Sequence, residues 1–512
     1  MLKVRDCLPG RLSAMLNDSV RLINMKINNR LVYKTSTAVL LPLGAVMLIP
    51  MLFSLFQKDS RTASAFLIPA AASLLAGSFC LLMLKKSRRI STRKMLIRDG
   101  YLMVVCGAAV IFLLSAVPYW LCGRHIGAVD GWFMSVSSWT TTGVVSVSCS
   151  NLPDAVMLWR AITCWMGGFS MLAISITIFS RLGINEQGLL SGPSAISKQN
   201  AKLTAHFTGT VKILLYFYIG MTAAELIFLY FSDMSFFTAL LNTLSNVSTS
   251  GLIDISHSAD YFINTPYVRI VMSAFALLAS INFFEYYYVL TRHRMAKNYE
   301  VRSYLSMIAA ASVLIALDLM FTGKYHSFFQ ALRDAATVCV SNASTSGYAS
   351  SLAASWPTTS LFILLVLMMI GGCSISAASG MKVTRAVVFW KLIMRGMYKR
   401  IHPRSTKAVI VHGHKITAGK ASSITVFIML FFLIVIVASV VVSIDNQGLD
   451  TTFYAVIASL TNTGTFSGKL ALGDYSLFST PIRFFLSLLM IVGRFGIYPA
   501  VVLFSSSFWR EK

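Results

Sequence analysis

Thr140-Thr141-Thr142-Gly143 ends a short, moderately apolar stretch of the chain, and its pattern returns as Ser248-Thr249-Ser250-Gly251, Ser344-Thr345-Ser346-Gly347 and Thr461-Asn462-Thr463-Gly464. The shared form is [ST]-x-[ST]-G. The glycines stand 108, 96 and 117 residues apart, a spacing that fits an internal repeat of helix, short segment and helix. One such tetrapeptide is an ordinary turn signal. Four, each at the same place between two apolar spans, mark a repeated architecture. A phenylalanine-bearing lead-in recurs too, in Ser235-Phe236-Phe237 and Ser327-Phe328-Phe329, followed in both by an Ala-Leu pair.

Working outward, apolar spans lie at roughly 36–56, 62–84, 101–122, 155–180, 210–231, 267–290, 303–322, 358–379, 421–443 and 480–507. Several approach or exceed the ~20 residues that cross a bilayer as a helix. The 512 residues are 56% hydrophobic and only 12% charged, against roughly 25% charged in soluble domains. Backbone groups in lipid must be satisfied internally, so helices are the spanning unit. The expectation is an all-α integral membrane protein with about ten transmembrane helices. The four short segments fall between the third and fourth, fifth and sixth, seventh and eighth, and ninth and tenth spans, and each is too short to cross and return.

The net charge of +25 sits in clusters between spans, so it speaks for orientation and no nucleic-acid partner is expected. Lys85, Lys86, Arg88, Arg89, Arg93, Lys94 and Arg98 fill one linker, and the stretch from Lys382 to Lys420 carries many basic residues and no acid. Both belong on the cytoplasmic side. Linkers around Asp130, Asp154, Asp233, Asp260, Asp445 and Asp474 belong on the other. The eight cysteines, Cys7 and Cys149 among them, have no CxxC spacing and support neither zinc nor a disulfide framework. The first 35 residues lack a continuous signal-peptide core. Paired intramembrane aspartates and HExxH are absent, as is a GxxxxGK[ST] phosphate loop, so an enzyme is not expected and any nucleotide acts through a partner. His412 and His414 lie in a basic linker and read as solvated.

Irregular backbone is tolerated at membrane depth only where protein buries it or where it lines a watery cavity. The four turns therefore meet at a central pathway. A short helix ending midway aims its partly negative C-terminus at that centre, which favours a cation. Carbonyl oxygens of the following residues can replace the water around a dehydrated ion, as in potassium-channel filters. Glycine allows the positive φ and the close backbone approach this needs. Neighbouring hydroxyls add neutral ligands or tie the turn to its surroundings.

At these residues the sequence resembles the Trk/Ktr/HKT superfamily of potassium transporters, and within it the bacterial Trk-type membrane subunit. The similarity runs from about Arg98 to Phe504. It includes Pro153, Trp159-Arg160, Trp165-Met166-Gly167-Gly168, Ala331-Leu332-Arg333, Gly371-Gly372-Cys373-Ser374, Gly380-Met381-Lys382-Val383 and Gly493-Arg494. The resemblance implies a pseudo-fourfold pore within one chain, in the bacterial inner membrane, with membrane lipid around it. It also implies a homodimer and a cytosolic nucleotide-binding regulatory subunit of the TrkA or KtrA kind. The expected divisions are 1–100 (cytoplasmic N-terminus and two extra helices), 101–180, 208–302 and 303–395 (repeats 1 to 3), 396–420 (basic linker) and 421–512 (repeat 4). The cargo is K+ with no organic cofactor, carried by channel-like conduction, with a sodium- or proton-coupled symporter as the alternative. Glycine in all four filter segments goes with potassium in this family, whereas serine in the first often goes with sodium.

The expected filter is therefore Thr141, Thr142 and Gly143; Thr249, Ser250 and Gly251; Thr345, Ser346 and Gly347; and Asn462, Thr463 and Gly464. After an apolar helix ending near Ile370, the small residues from Gly371 to Gly380 either weaken helix continuity and permit an unwound stretch or allow close helix packing; the resemblance implies the first, the corresponding loop being the family's gate. Gly371, Gly372, Ser374, Ser376, Gly380, Lys382 and Arg494 are assigned to it. The family usually has more glycine where Ile375, Ala378 and Ser379 stand, and an acid where Gly496 stands. Arg494, inside the last apolar span, either faces the pore and repels the ion or anchors on a carboxylate or carbonyls. Glu225 and Glu285 are open between pore function and local pairing, and Gly167 and Gly168 read as packing.

Overall fold

The computed structural model describes residues 37, 39–86, 97–123, 126–147, 152–174, 207–232, 234–251, 265–292, 299–405, 408–411 and 414–497. The first 35 residues, Cys7, Cys149, Asp233, Asp260, His412, the basic residues from Arg88 to Lys94 and the end of the last span lie outside the described residues.

Two helices, α1 (Leu40–Phe56) and α2 (Ser60–Lys86), pack against each other ahead of the repeats. The first repeat is α3 (Ile97–Leu121), α4 (Ala128–Trp139) and α5 (Asp154–Ile174); the second is α6 (Phe207–Tyr230), α7 (Phe236–Val247), α8 (Pro266–Ser280) and α9 (Phe283–Arg292). The third comprises α10 (Tyr299–Phe321), α11 (Phe328–Ala343), α12 (Thr358–Ile370) and α13 (Val383–Ile401). After a small hairpin, β1 (Ile410–Val411) with β2 (His414–Lys415), the fourth is α14 (Ala418–Val442), α15 (Leu449–Thr461) and α16 (Thr480–Phe495). Among the described residues six helices, α2, α3, α5, α6, α10 and α14, are long and apolar enough to cross a membrane, and α1, α8 and α12 are shorter apolar helices. Pro50, Pro69 and Pro118 sit inside α1, α2 and α3, as membrane helices tolerate when neighbours satisfy the freed carbonyls.

The short helices α4, α7, α11 and α15 span 12, 12, 16 and 13 residues, less than a crossing requires. Their placement follows one rule. In each repeat the helix directly after the short one packs on the short helix of the next: α5 on α7, α8 on α11, α12 on α15, and α16 back on α4. One ring thus buries the apolar faces of all four short helices in a shared core that includes Val136, Leu241, Val338 and Val456.

Two apolar spans are not single helices. The span at 267–290 breaks at Ile281 and Asn282, where the Asn282 Oδ1 accepts the Phe284 N–H at 3.0 Å and starts α9 afresh, the usual work of asparagine at a helix start. The span at 358–379 stops at Ile370, because Gly371 takes φ 73°, and residues 371–382 run as an irregular segment to α13. α13 extends to Ile401, past residue 395 where the basic linker was expected to begin.

Candidate functional site

Each short helix ends in the same local structure. Position x of the tetrapeptide is left-handed in all four, with φ of 57° at Thr141, 58° at Thr249, 56° at Thr345 and 56° at Asn462. Its N–H bonds three residues back, from Thr141 to Ser138, Thr249 to Asn246, Thr345 to Asn342 and Asn462 to Ser459. The following N–H bonds five residues back, from Thr142 to Ser137, Ser250 to Ser245, Ser346 to Ser341 and Thr463 to Ala458. This is the Schellman closure of a helix C-terminus, with the left-handed residue just past the cap. The two hydroxyls of each [ST]-x-[ST] unit also meet, at 2.9, 3.4, 2.9 and 3.0 Å in chain order. In the fourth repeat asparagine suits the left-handed region. Threonine in the other three does not, because a β-branched side chain is strained there.

The glycines follow with φ of 75°, 80°, 70° and 75°, and they lie against one another in a closed order. A methyl group on Gly143 would overlap the Ser250 carbonyl oxygen; on Gly251, that of Ser346; on Gly347, that of Thr463 along with the Thr465 hydroxyl; on Gly464, that of Thr142. Each repeat's glycine thus faces the carbonyl just before the glycine in the next, and the fourth returns to the first. The filter residues expected from the sequence, 141–143, 249–251, 345–347 and 462–464, are all brought together.

The ring is braced from outside. Arg160, fully buried in α5, donates to the Gly143 carbonyl at 3.1 Å. The Gly347 carbonyl accepts the hydroxyls of Thr465 at 2.6 Å and Ser350 at 2.8 Å, and the Gly464 carbonyl accepts the Tyr475 hydroxyl at 2.8 Å. Residues after the first turn pair with the fourth repeat, Val145 bonding to Gly473 and Tyr475 to Val145. Further out, the Arg269 guanidinium of α8 meets Asp334 of α11 at 3.0 Å, and Arg483 of α16 pairs with Asp130 of α4. Asp130 and Asp334 each stand thirteen residues before their glycine, so the two pairs tie equivalent points of opposite junctions.

The segment from Gly371 to Lys382 is folded tightly below the third turn. Gly371 and Gly380 press together, both at positive φ, and Gly372 lies against Ala378 and Ser280. The Ser376 hydroxyl donates to the Cys373 carbonyl at 2.6 Å, while the Lys382 ammonium donates to those of Cys373 and Ala378 at 3.3 and 2.5 Å. Glu300, at the start of α10, holds both ends through the Ser374 N–H at 2.6 Å and the Thr384 hydroxyl at 2.7 Å. On the far side Arg494 donates to the Ala377 carbonyl at 3.0 Å, the Ser379 hydroxyl at 2.8 Å and the Gly167 carbonyl at 3.2 Å. It therefore has the carbonyl partners of an anchor. All seven residues assigned to the gate are in this segment or, for Arg494, bonded to it.

The remaining expectations resolve locally. Glu225 is buried and accepts the Asn246 amide at 2.6 Å; Glu285 sits in the first turn of α9. Gly167 and Gly168 have neighbours where a Cβ would go, the Trp139 carbonyl and the Tyr218 hydroxyl, as packing requires. None of the six described cysteines forms a disulfide, and among the described residues no group of His, Cys, Asp and Glu could hold a metal. Sequence reasoning did not single out Glu300 or the two Arg–Asp pairs. The acids were read as loop charge or not at all, and only the equal offset of Asp130 and Asp334 from their glycines could have drawn attention to them.

Long apolar helices around four inward-facing turns define a multi-pass, all-α protein of the cell membrane. Residues 70–511 match the profile of the TrkH family, described as cation transport proteins, and the chain belongs to that family. It is 28% identical over 494 residues to the Trk system potassium uptake protein TrkH of Halomonas elongata, covering 94% of this chain and 99% of that one. It is 27% identical over 479 residues to the Trk system potassium uptake protein TrkG of Escherichia coli, covering 91% and 95%. The crystal structure of the potassium transporter TrkH from Vibrio parahaemolyticus has the same fold, with a TM-score of 0.84 at 24% identity over 94% of this chain and 100% of the other.

Proposed function

We propose that the chain carries potassium into the cell by channel-like conduction, through a filter made of residues 141–143, 249–251, 345–347 and 462–464 and gated by the segment 371–382. The observation that carries this reading is the closed order in which each glycine faces its neighbour's carbonyl. Four backbones that close together with their oxygens adjacent form a ligand shell of neutral dipoles, which suits a bare monovalent cation. The names of the relatives point to K+ as the cargo. The membrane potential supplies the drive, about 2.3 kcal/mol per charge for 100 mV. A cytosolic nucleotide-binding subunit of the TrkA or KtrA kind controls the segment from outside the membrane, and two copies of the chain assemble as a homodimer.

The test is uptake of radioactive rubidium into liposomes holding the purified protein, with and without a regulatory subunit, under an imposed potassium diffusion potential. Conduction gives passive uptake that follows the potential and is outcompeted by K+ and not by Na+. No uptake under either condition overturns it, and uptake that requires a stoichiometric Na+ or H+ gradient favours the coupled symporter.

A further inference from the structure

Thr345 differs from its counterparts in one contact. The four x positions share one backbone conformation and one set of helix-closing bonds, which sends their Cα–Cβ bonds the same way relative to the ring. The hydroxyls of Thr141 and Thr249 are buried with no hydrogen-bond partner among the described residues. Such groups are rare, because a buried hydroxyl gives up its bonds to water, and each calls for a ligand or a water to complete it. The Thr345 hydroxyl instead accepts the Ser379 N–H at 2.8 Å. Asn462 has no hydroxyl: its amide N–H groups reach the Thr142 hydroxyl at 3.1 Å and the Met490 carbonyl at 2.9 Å, and its Oδ1 is buried with no partner among the described residues. Ser379 is presented to Thr345 by Arg494, which grips its hydroxyl.

Resting on the reading of these turns as a filter and of 371–382 as its gate, we propose that the Thr345 hydroxyl is a latch shared between the gating segment and the permeating cation. With the segment docked it accepts the Ser379 N–H. With the segment withdrawn it joins Thr141 and Thr249 as three neutral oxygens around a dehydrated monovalent cation at the inner end of the filter. The two states compete, because the N–H uses one of the hydroxyl's lone pairs and places partial positive charge beside the oxygen that the cation would use. By linkage a cation bound there must favour the withdrawn segment as strongly as withdrawal favours the cation. The gate therefore senses the filter directly, without a signal relayed through the helices.

Replacing Thr345 by valine keeps the shape and removes the acceptor. In liposomes without a regulatory subunit, Thr141→Val and Thr249→Val lose a ligand and no latch and lower basal rubidium uptake. Thr345→Val loses the same kind of ligand together with the latch, so its uptake stands about threefold to tenfold above theirs, the range expected from loss of one neutral hydrogen bond in the docked state. A fall in Thr345→Val matching theirs, with wild type conducting, overturns the latch; a wild type that never conducts overturns the filter reading instead. Should Thr345→Val not fold, Thr345→Cys with Ser379→Cys decides: oxidation stops uptake and a reductant restores it, whereas uptake indifferent to oxidant, with the wild type as control, overturns the latch.

Discussion

At Gly143 two demands coincide: φ is 75°, and the Ser250 carbonyl stands where a side chain would begin. Alanine there meets the left-handed penalty of about 1–2 kcal/mol and a clash with backbone that cannot give way. Gly143→Ala should leave a folded protein whose rubidium uptake no longer discriminates against Na+, measured by competition in liposomes. Gly220→Ala is the control, since a methyl group there meets nothing within 4 Å. Uptake and selectivity of Gly220→Ala should equal those of the wild type. These glycines were legible in the sequence because four copies of one pattern cannot all be incidental turns. The left-handed threonines were not legible, since a β-branched residue at φ near 57° contradicts every local preference and exists only because the ring holds it. Ile375, at φ 53°, is the same kind of residue in the segment 371–382.

Among the elements, the short helices were legible by length and by their place between spans, and the end of α12 near Ile370 by the run of small residues from Gly371, while the break at Asn282 was not. Hydropathy runs straight through both positions, and what interrupts the helix is a capping side chain in one case and a positive φ in the other. The ties between elements were hidden for a different reason: an ion pair between α8 and α11 depends on which helices meet. Arg269 is nearly buried, and Asp334 serves Arg269, Arg333 and the Tyr325 hydroxyl together. Removing the acid strands a buried cation, a loss of about 3 kcal/mol. Asp334→Asn should therefore lower the unfolding temperature in detergent clearly. Arg269→Met should lower it less, because Arg333 still neutralises the carboxylate. The double variant Arg269→Met with Asp334→Asn should fall short of the sum of the two; a strictly additive result would mean that the pair contributes nothing as a pair.

For the whole molecule, the order in which α5, α8, α12 and α16 each cover the next short helix makes the fourth repeat the neighbour of the first, and Arg494 works at that closure. From α16 it reaches the segment 371–382 of the third repeat and the Gly167 carbonyl of the first. The sequence left its role open between repelling the ion and anchoring, because an arginine in an apolar span announces a partner without naming it. The contacts supply the anchor's partners, but a buried guanidinium near the proposed pathway still carries its charge, so the two effects must be separated by substitution. Lysine keeps the charge and loses the planar fork that holds three acceptors at once; glutamine loses the charge and keeps part of the bonding. If holding the segment is what limits basal flux, Arg494→Lys and Arg494→Gln both raise rubidium uptake, by roughly tenfold for the loss of a charge-assisted bond. If repulsion limits it, Arg494→Lys stays at the wild-type rate and only Arg494→Gln rises. We expect the first outcome, because three acceptors on two repeats fix this guanidinium to the segment 371–382 and to α5; uptake by Arg494→Lys equal to wild type would reverse the assignment.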